Sequence, residues 1–228
     1  MKLADLVTHL DTELRIREIA DYPPAFNGLQ VDAPGATVKN IAAAVDASLP
    51  VIRKAAESGA SLLLVHHGMF WSGLQPVTGA LHEKLRLCLE HGMAIYSAHL
   101  PLDAHPALGN NACIARALGL TPCGGFLDYK GTDIGLIAET EIALDELTTR
   151  FRAALDGGPV HVCPGGPQTA RRIGISSGGS GSEVAAAAKA GVDTFLTGEG
   201  PHWSYTAAEE LGINVLYGGQ YATETFGV

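Results

Sequence analysis

SLLLVHHG, residues 61–68, is a short apolar run that ends in two histidines and a glycine. An amphipathic stretch, ALHEKLRLCLEHG (80–92), and a second apolar run, MAIYSAHLPLD (93–103), follow it. The same order precedes it, as KNIAAAVD (39–46) and SLPVIRKAAESG (48–59). Short apolar runs that alternate with helical periodicity predict strands of a largely parallel sheet with helices packed on it.

The character of the chain changes at TPCGGFLDYKG (121–131), a glycine-rich passage expected to cross between lobes. A second series of alternating strands and helices is predicted from there to residue 219. The expected fold class is therefore α/β, with two similar lobes and mostly parallel sheets. We assign residues 1–125 and 218–228 to the first lobe, which is expected to carry most of the metal ligands, and residues 126–217 to the second.

The composition excludes several classes of function. The chain has 228 residues, of which 46% are hydrophobic, and a net charge of −9. No run of Lys or Arg is longer than two residues, so no nucleic-acid or membrane partner is expected. The sequence has no signal peptide, no 18-residue apolar stretch and no C-x-x-C pair among its four cysteines. These features predict a cytoplasmic protein with reduced thiols.

Polar side chains with acid–base or metal-binding chemistry follow four of the predicted strands. In open α/β sheets, ligands bind beyond the carboxyl ends of the strands, so a site is expected in the cleft there. The residues that lie at or just after these ends are His66 and His67, His99 and Asp103, Glu199 and His202, and Gln220 and Glu224.

His66 and His67 are the first candidate metal ligands. Neighbouring strand residues point to opposite faces, but at a strand end two imidazoles can reach two different ions. Gly68 allows the backbone to turn tightly after them. The alternative is one surface histidine and one core histidine that share a hydrogen bond.

Carboxylates from two other segments complete the candidate site. Asp103 has two oxygens and can bridge two cations about 3.5–4 Å apart; the alternative is a helix cap or turn residue. Gln220 and Glu224 are four residues apart and face the same way if this segment is helical. The alternative for Glu224 is a carboxylate that interacts with a helix dipole.

Two further segments can line the same cavity. SSGGSGSE (176–183) is predicted to be a tight turn whose amides could hold a substrate anion, although it matches neither a Walker nor a dinucleotide-binding pattern. FLTGEGPHW (195–203) supplies Glu199 and His202 as the candidate catalytic acid and base, or as extra ligands.

Together these motifs resemble the NIF-three-like dinuclear metal-centre family, often described as GTP cyclohydrolase I type 2 homologues. The resemblance rests on VHHGMFW, SAHLPLD with GNN, GGSGSE, LTGEGPHW and GGQYATETFGV in this order, with NGLQV near the start. It implies a toroidal homo-hexamer, a trimer of dimers, with metal sites that face an inner cavity. It also implies His66, His67, Asp103 and Glu224 as ligands of two divalent ions, expected to be Zn, Fe or Mn.

The sequence departs from this family at Gln220, where a histidine ligand is usual. An amide offers no imidazole nitrogen, so unequal occupancy of the two ion sites is expected. Family members also usually continue into a full C-terminal helix after the position of Glu224.

The resemblance suggests a metal-dependent hydrolase that acts on a small, nucleotide-like substrate such as GTP. The alternatives are a non-enzymatic metal carrier or chaperone, or a regulatory scaffold stabilised by its metal.

Overall fold

The computed structural model describes all residues from Met1 to Val228 and divides the chain into two units. The first unit is Met1–Leu102 together with Val228, and the second is Asp103–Gly227. This division differs from the lobes expected from the sequence, 1–125 with 218–228 and 126–217. The difference arises because residues 103–125 and 218–227 pack into the core of the second unit.

The first unit is built on a four-stranded sheet in the order β1-β4-β3-β2. Strands β2, β3 and β4 are parallel to one another, and β1 pairs antiparallel with β4. The elements are α1 (Leu3–Glu13), β1 (Gly28–Val31), β2 (Ile41–Asp46), α2 (Leu49–Glu57), β3 (Leu62–His67), α3 (Gly79–His91) and β4 (Ala94–Ser97). The short helix α4 (Leu100–Asp103) crosses the boundary between the two units in the chain.

Local sequence explains where these elements begin and end. The Ser48 side chain accepts a hydrogen bond from the Val51 amide at 3.4 Å and caps α2. Helix α3 ends at Gly92, which has a φ of 58°. Strand β3 is buried along most of its length, with Leu62 and Leu63 inaccessible to solvent. Such burial is typical of a strand that lies between two parallel neighbours, as β3 does. The last residues of β3 lie at the carboxyl edge of the sheet.

The second unit contains a six-stranded sheet in the order β5-β6-β8-β9-β10-β7. Its centre, β8-β9-β10, is parallel, and β5, β6 and β7 join it through antiparallel pairs. The elements are α5 (Asn110–Ala117), β5 (Pro122–Tyr129), β6 (Thr132–Ala143), α6 (Leu144–Ala154), β7 (His161–Pro164), β8 (Thr169–Ser176), α7 (Val184–Lys189), β9 (Thr194–Thr197), α8 (His202–Leu211), β10 (Asn214–Tyr217) and α9 (Gln220–Thr223).

Two segments of the second unit differ from the sequence-based expectation. The glycine-rich passage 121–131 is not a crossing between lobes, because Pro122–Tyr129 forms strand β5 and pairs antiparallel with β6. Helix α5 packs through Ile114 and Leu118 into the same core as Phe151, and Phe226 packs against that core. Residues 103–125 and 218–227 therefore belong to the second unit.

Both sheets have a three-stranded parallel centre flanked by helices, which confirms the predicted α/β class with two similar sheets. No helix is both long enough and apolar enough to cross a membrane. In each sheet, the predicted functional residues follow the carboxyl ends of parallel strands, as the sequence pattern indicated.

Candidate metal centre

Three histidine side chains meet at the carboxyl edge of the first sheet. His66 and His67 are the last residues of β3, and His99 lies two residues beyond the end of β4. The ring centroids are 4.7 Å apart for His66 and His67, 5.0 Å for His66 and His99, and 5.6 Å for His67 and His99. Parallel pairing of β3 with β4 produces this convergence, because it brings both strand ends to one edge.

The three rings present a potential ligand set for one metal ion. One ligand atom from each histidine lies within 4.8 Å of the other two. His66 is completely buried, while the side chains of His67 and His99 are 15% and 12% exposed. A group of this kind is partly shielded from solvent yet open to an ion, which suits a metal site.

Each imidazole is oriented by a hydrogen bond at its Nδ1 atom. The acceptors, each 2.9 Å away, are the Ala98 carbonyl for His66, Asp46 Oδ1 for His67 and Asp21 Oδ1 for His99. An oxygen acceptor requires the proton on Nδ1, which leaves the lone pair on Nε2. Metal-binding histidines are characteristically held in this way by carboxylates or carbonyls.

Asp21 is more deeply buried than Asp46 and accepts more hydrogen bonds. It also accepts hydrogen bonds from Asn27 Nδ2 at 2.7 Å and from the Leu100 amide at 2.9 Å. Burial raises the pKa of Asp21, but the hydrogen bond and charge interaction with His99, together with these two donors, outweigh burial and hold the pKa below its ordinary value. The carboxylate therefore stays ionised beside His99 at neutral pH.

Trp71 forms an aromatic wall against two of the histidines. Its ring meets His99 edge to face at a centroid distance of 4.8 Å and His67 at 5.5 Å. An indole in this position restricts water around the imidazoles and limits their rotation.

In the second unit, Asp103 is held by side chains from two other segments. It is the last residue of α4, not part of an extended turn. Its Oδ1 accepts hydrogen bonds from Asn110 Nδ2 at 2.8 Å and from Ser177 Oγ at 3.2 Å. The GNN and SSGG motifs therefore orient this carboxylate.

Glu224 and Gln220 pack against the same glycine-rich turn. Gln220 begins the single-turn helix α9, and Glu224 follows its last residue with only 3% of its surface exposed. Gly178 has a φ of +67°, and a β-carbon there would collide with the Glu224 carboxylate. The turn thus makes room for Glu224, while Gln220 Oε1 lies 3.8 Å from the β-carbon position of Gly179.

Glu199 and His202, the predicted acid and base, line a cavity of about 290 Å³ in the second unit. His161, Tyr205 and Tyr217 line the same cavity. Both predicted residues are exposed, Glu199 after β9 and His202 at the start of α8. The cavity gathers groups able to exchange protons, and the catalytic role of Glu199 and His202 stays a prediction.

The structure groups the expected metal ligands by unit. His66 and His67 are in the first unit, where they meet His99, while Asp103, Gln220 and Glu224 surround the Ser177–Gly179 turn in the second. His99 is outside the expected ligand set. Its signal in the sequence was its position just after an apolar strand, the same signal that identified His66 and His67.

Fold and histidine cluster together define a two-unit α/β protein with a candidate metal centre at the end of a parallel sheet. The family model described as Duf34/NIF3 (NGG1p interacting factor 3) matches residues 1–228, and the chain belongs to this family.

Relatives in this family match the chain over nearly its whole length. It is 43% identical to the GTP cyclohydrolase 1 type 2 homolog of Deinococcus radiodurans, over 98% of this chain and 84% of that protein. It is 40% identical to the protein of the same name from Chlamydia pneumoniae, over 100% of this chain and 90% of that protein. The solved structure of protein ybgI superposes with a TM-score of 0.91 at 36% identity, over 100% and 90% of the two chains.

Proposed function

We propose that this protein is a metal-dependent hydrolase that acts on a small, nucleotide-like substrate. The observation that carries the proposal is the convergence of three imidazoles, each with Nδ1 hydrogen-bonded to an oxygen. The donor set fits a divalent ion, because neutral imidazole nitrogens suit Zn and Fe, whereas Mn prefers carboxylate oxygens. The names of the relatives from Deinococcus radiodurans and Chlamydia pneumoniae support a nucleotide as the substrate class.

Each residue of the cluster has a defined task in this proposal. A divalent ion, when bound, would lower the pKa of a water molecule toward neutrality and would polarise the substrate. His66, His67 and His99 would hold the ion, and Asp46, Asp21 and the Ala98 carbonyl keep the proton on each Nδ1. Glu199 and His202, which line the cavity of the second unit, are the proposed proton-transfer residues.

A second ion is proposed to bind through Asp103 and Glu224, with Gln220 in place of the imidazole that relatives usually have. The Ser177–Gly179 turn supports these carboxylates, because Ser177 donates to Asp103 and Gly178 leaves space for Glu224. A neutral amide oxygen is a weaker ligand than imidazole for borderline ions, so this ion binds less tightly.

The test is a turnover assay with GTP and a panel of phosphoesters, with and without added Zn, Fe or Mn. Metal-dependent hydrolysis of at least one compound, abolished in His67→Ala, is the expected result. His82→Ala is the matched control, since His82 is an exposed histidine of the same unit. Absence of metal-dependent turnover on every compound, with metal shown to be bound, would reject the hydrolase proposal.

A second candidate function is a metal carrier, and Gln220 is the observation that favours it. A weakened second site releases its ion more readily, as a carrier requires. Chelator competition followed by transfer to an apo acceptor protein separates the two proposals. Fast transfer without turnover supports the carrier, and turnover with slow metal release supports the hydrolase.

A further inference from the structure

An apolar recess lies in the first unit beside the histidine cluster. It encloses about 480 Å³ and is lined mainly by Pro23, Pro24, Phe26, Phe70 and Leu74. This volume is typical of small-molecule sites, which range over about 300–1,000 Å³. Phe26 and Phe70 meet edge to face with ring centroids 5.5 Å apart.

Both walls of the recess continue into side chains that touch the histidines. Tyr22, which precedes Pro23, has its ring centroid 6.2 Å from that of His99. Trp71, which follows Phe70, contacts both His99 and His67. The residues that contact the histidines therefore lie one position beyond each wall of the recess in the chain.

Gln30 connects the two walls of the recess, the segment at Phe26 and the segment at Phe70, through hydrogen bonds. Its Nε2 donates to the carbonyl oxygens of Phe26 at 3.0 Å and Ala25 at 3.2 Å, and its Oε1 accepts from the Met69 amide at 2.8 Å. Gly68 is required for this arrangement, because a β-carbon there would collide with the Gln30 amide. The recess is thus fixed to the same backbone segment that carries His67.

Phe26, in the wall of the recess, has an unfavourable backbone conformation. Its φ of 45° lies in the left-handed region, which is unfavourable for a bulky residue, and the residue is 61% exposed. Strained residues of this kind persist where surrounding contacts fix them, and they cluster at ligand-binding sites. Here the fixing contact is the hydrogen bond from Gln30.

We propose that the recess binds the apolar aromatic ring of a small ligand whose polar end lies at the histidine cluster. The proposal goes beyond the proposed function, because a ring without polar groups is a different class of ligand from a nucleobase and its binding does not require turnover. Gln30 is the one polar side chain that lines the recess, and its donors and acceptor are already used. A guanine ring would leave its own donors and acceptors unsatisfied there, which is costly.

Isothermal titration calorimetry tests the proposal. The full chain is treated with EDTA, and its affinities for 1-naphthyl phosphate and guanosine 5′-monophosphate are compared. We expect 1-naphthyl phosphate to bind at least about tenfold more tightly, because its ring has no polar edge to desolvate. Phe26→Ala should weaken this binding by about tenfold, since an aromatic contact and apolar area are lost. Leu74→Ala, in an exposed loop position that does not endanger folding, should weaken it by a smaller factor.

Leu89→Ala is the matched control, because Leu89 is also exposed in the first unit but lies on α3, outside the recess. Equal or tighter binding of the guanine compound, or unchanged affinity in Phe26→Ala and Leu74→Ala, would overturn the proposal. A change of oligomeric state in these two variants, with ligand affinity unchanged, would assign the recess to a second copy of the chain and overturn it as well. Metal-dependent turnover, measured separately on the unaltered protein, distinguishes this failure from failure of the hydrolase proposal.

Discussion

At the scale of single residues, the site depends on acceptors that fix each imidazole. His67 relies on Asp46, whose side chain is half exposed, whereas His99 relies on Asp21, whose side chain is only 6% exposed. Both carboxylates accept a hydrogen bond from a histidine Nδ1, but the Asp46 side chain faces solvent and the Asp21 side chain is buried. Asp21 additionally accepts hydrogen bonds from Asn27 and the Leu100 amide, so its replacement would disturb structure as well as metal binding. Asp46 is therefore the cleaner position for substitution.

Asp46→Asn is expected to lower the affinity for Zn by about 10-fold to 100-fold, because a neutral amide, which can turn either its oxygen or its NH2 toward Nδ1, fixes the His67 tautomer and raises its basicity less than a carboxylate does. Competition with a fluorescent chelator measures the change. Asp32→Asn, which removes an exposed carboxylate from the same unit, should leave the affinity unchanged. An equal loss in both variants would show that net charge, and not the contact with His67, controls binding.

Gln220→His is expected to tighten the weaker ion site by about tenfold or more, because an imidazole nitrogen replaces an amide oxygen. Elemental analysis after dialysis against limiting Zn should show a higher ratio of metal to protein in the variant. Two ions held with equal affinity in the unaltered protein would contradict the assignment of Gln220 as the weak ligand.

At the scale of elements, the Ser177–Gly179 turn is the main support of the second unit's carboxylates. It follows β8, and its Gly178 amide donates to Thr223 Oγ1 at 3.0 Å, which connects the turn to α9. Helix α9 is a single turn, and helices of this length are not stable alone. Burial of Glu224 therefore depends on the turn and on the packing of Ala222 and Phe226 against the core.

Gly178→Ala tests this dependence. The substitution forces a left-handed φ on alanine and places its β-carbon against the Glu224 carboxylate, so we expect a loss of about 1–3 kcal/mol in the free energy of unfolding and weaker binding of the second ion. Gly119→Ala is the control, because Gly119 has a φ of +71° and nothing within 4 Å of the added carbon. Urea denaturation and metal titration of both variants make the comparison; equal effects would remove the special role of Gly178.

Sequence patterns identified the elements better than they identified the boundaries of the units. Runs such as LLLV and AIYS predict buried strands directly, and the strand-end rule pointed to His66, His67 and His99. Strand β5 was missed because its glycines suppress the strand signal, although antiparallel pairing with β6 stabilises it. The placement of residues 103–125 was missed because helix periodicity does not reveal which core Ile114 and Leu118 join.

At the scale of the whole molecule, the expected assembly is a homo-hexamer formed as a trimer of dimers. Large apolar side chains that are exposed in the single chain, such as Leu108, Trp203 and Leu211, are candidates for burial between subunits. Sedimentation equilibrium should give about six times the mass of one chain, 23.7 kDa. A single species at the mass of one chain, at every concentration, would exclude the hexamer.

His66, His67 and His99 are proposed to hold one divalent metal ion together. Crystals grown with Zn and measured on both sides of the zinc absorption edge test it most directly. We predict an anomalous peak at about 2.0–2.1 Å from one nitrogen of each of the three imidazoles. Crystals that contain zinc elsewhere, with no anomalous peak among these three rings, would contradict it.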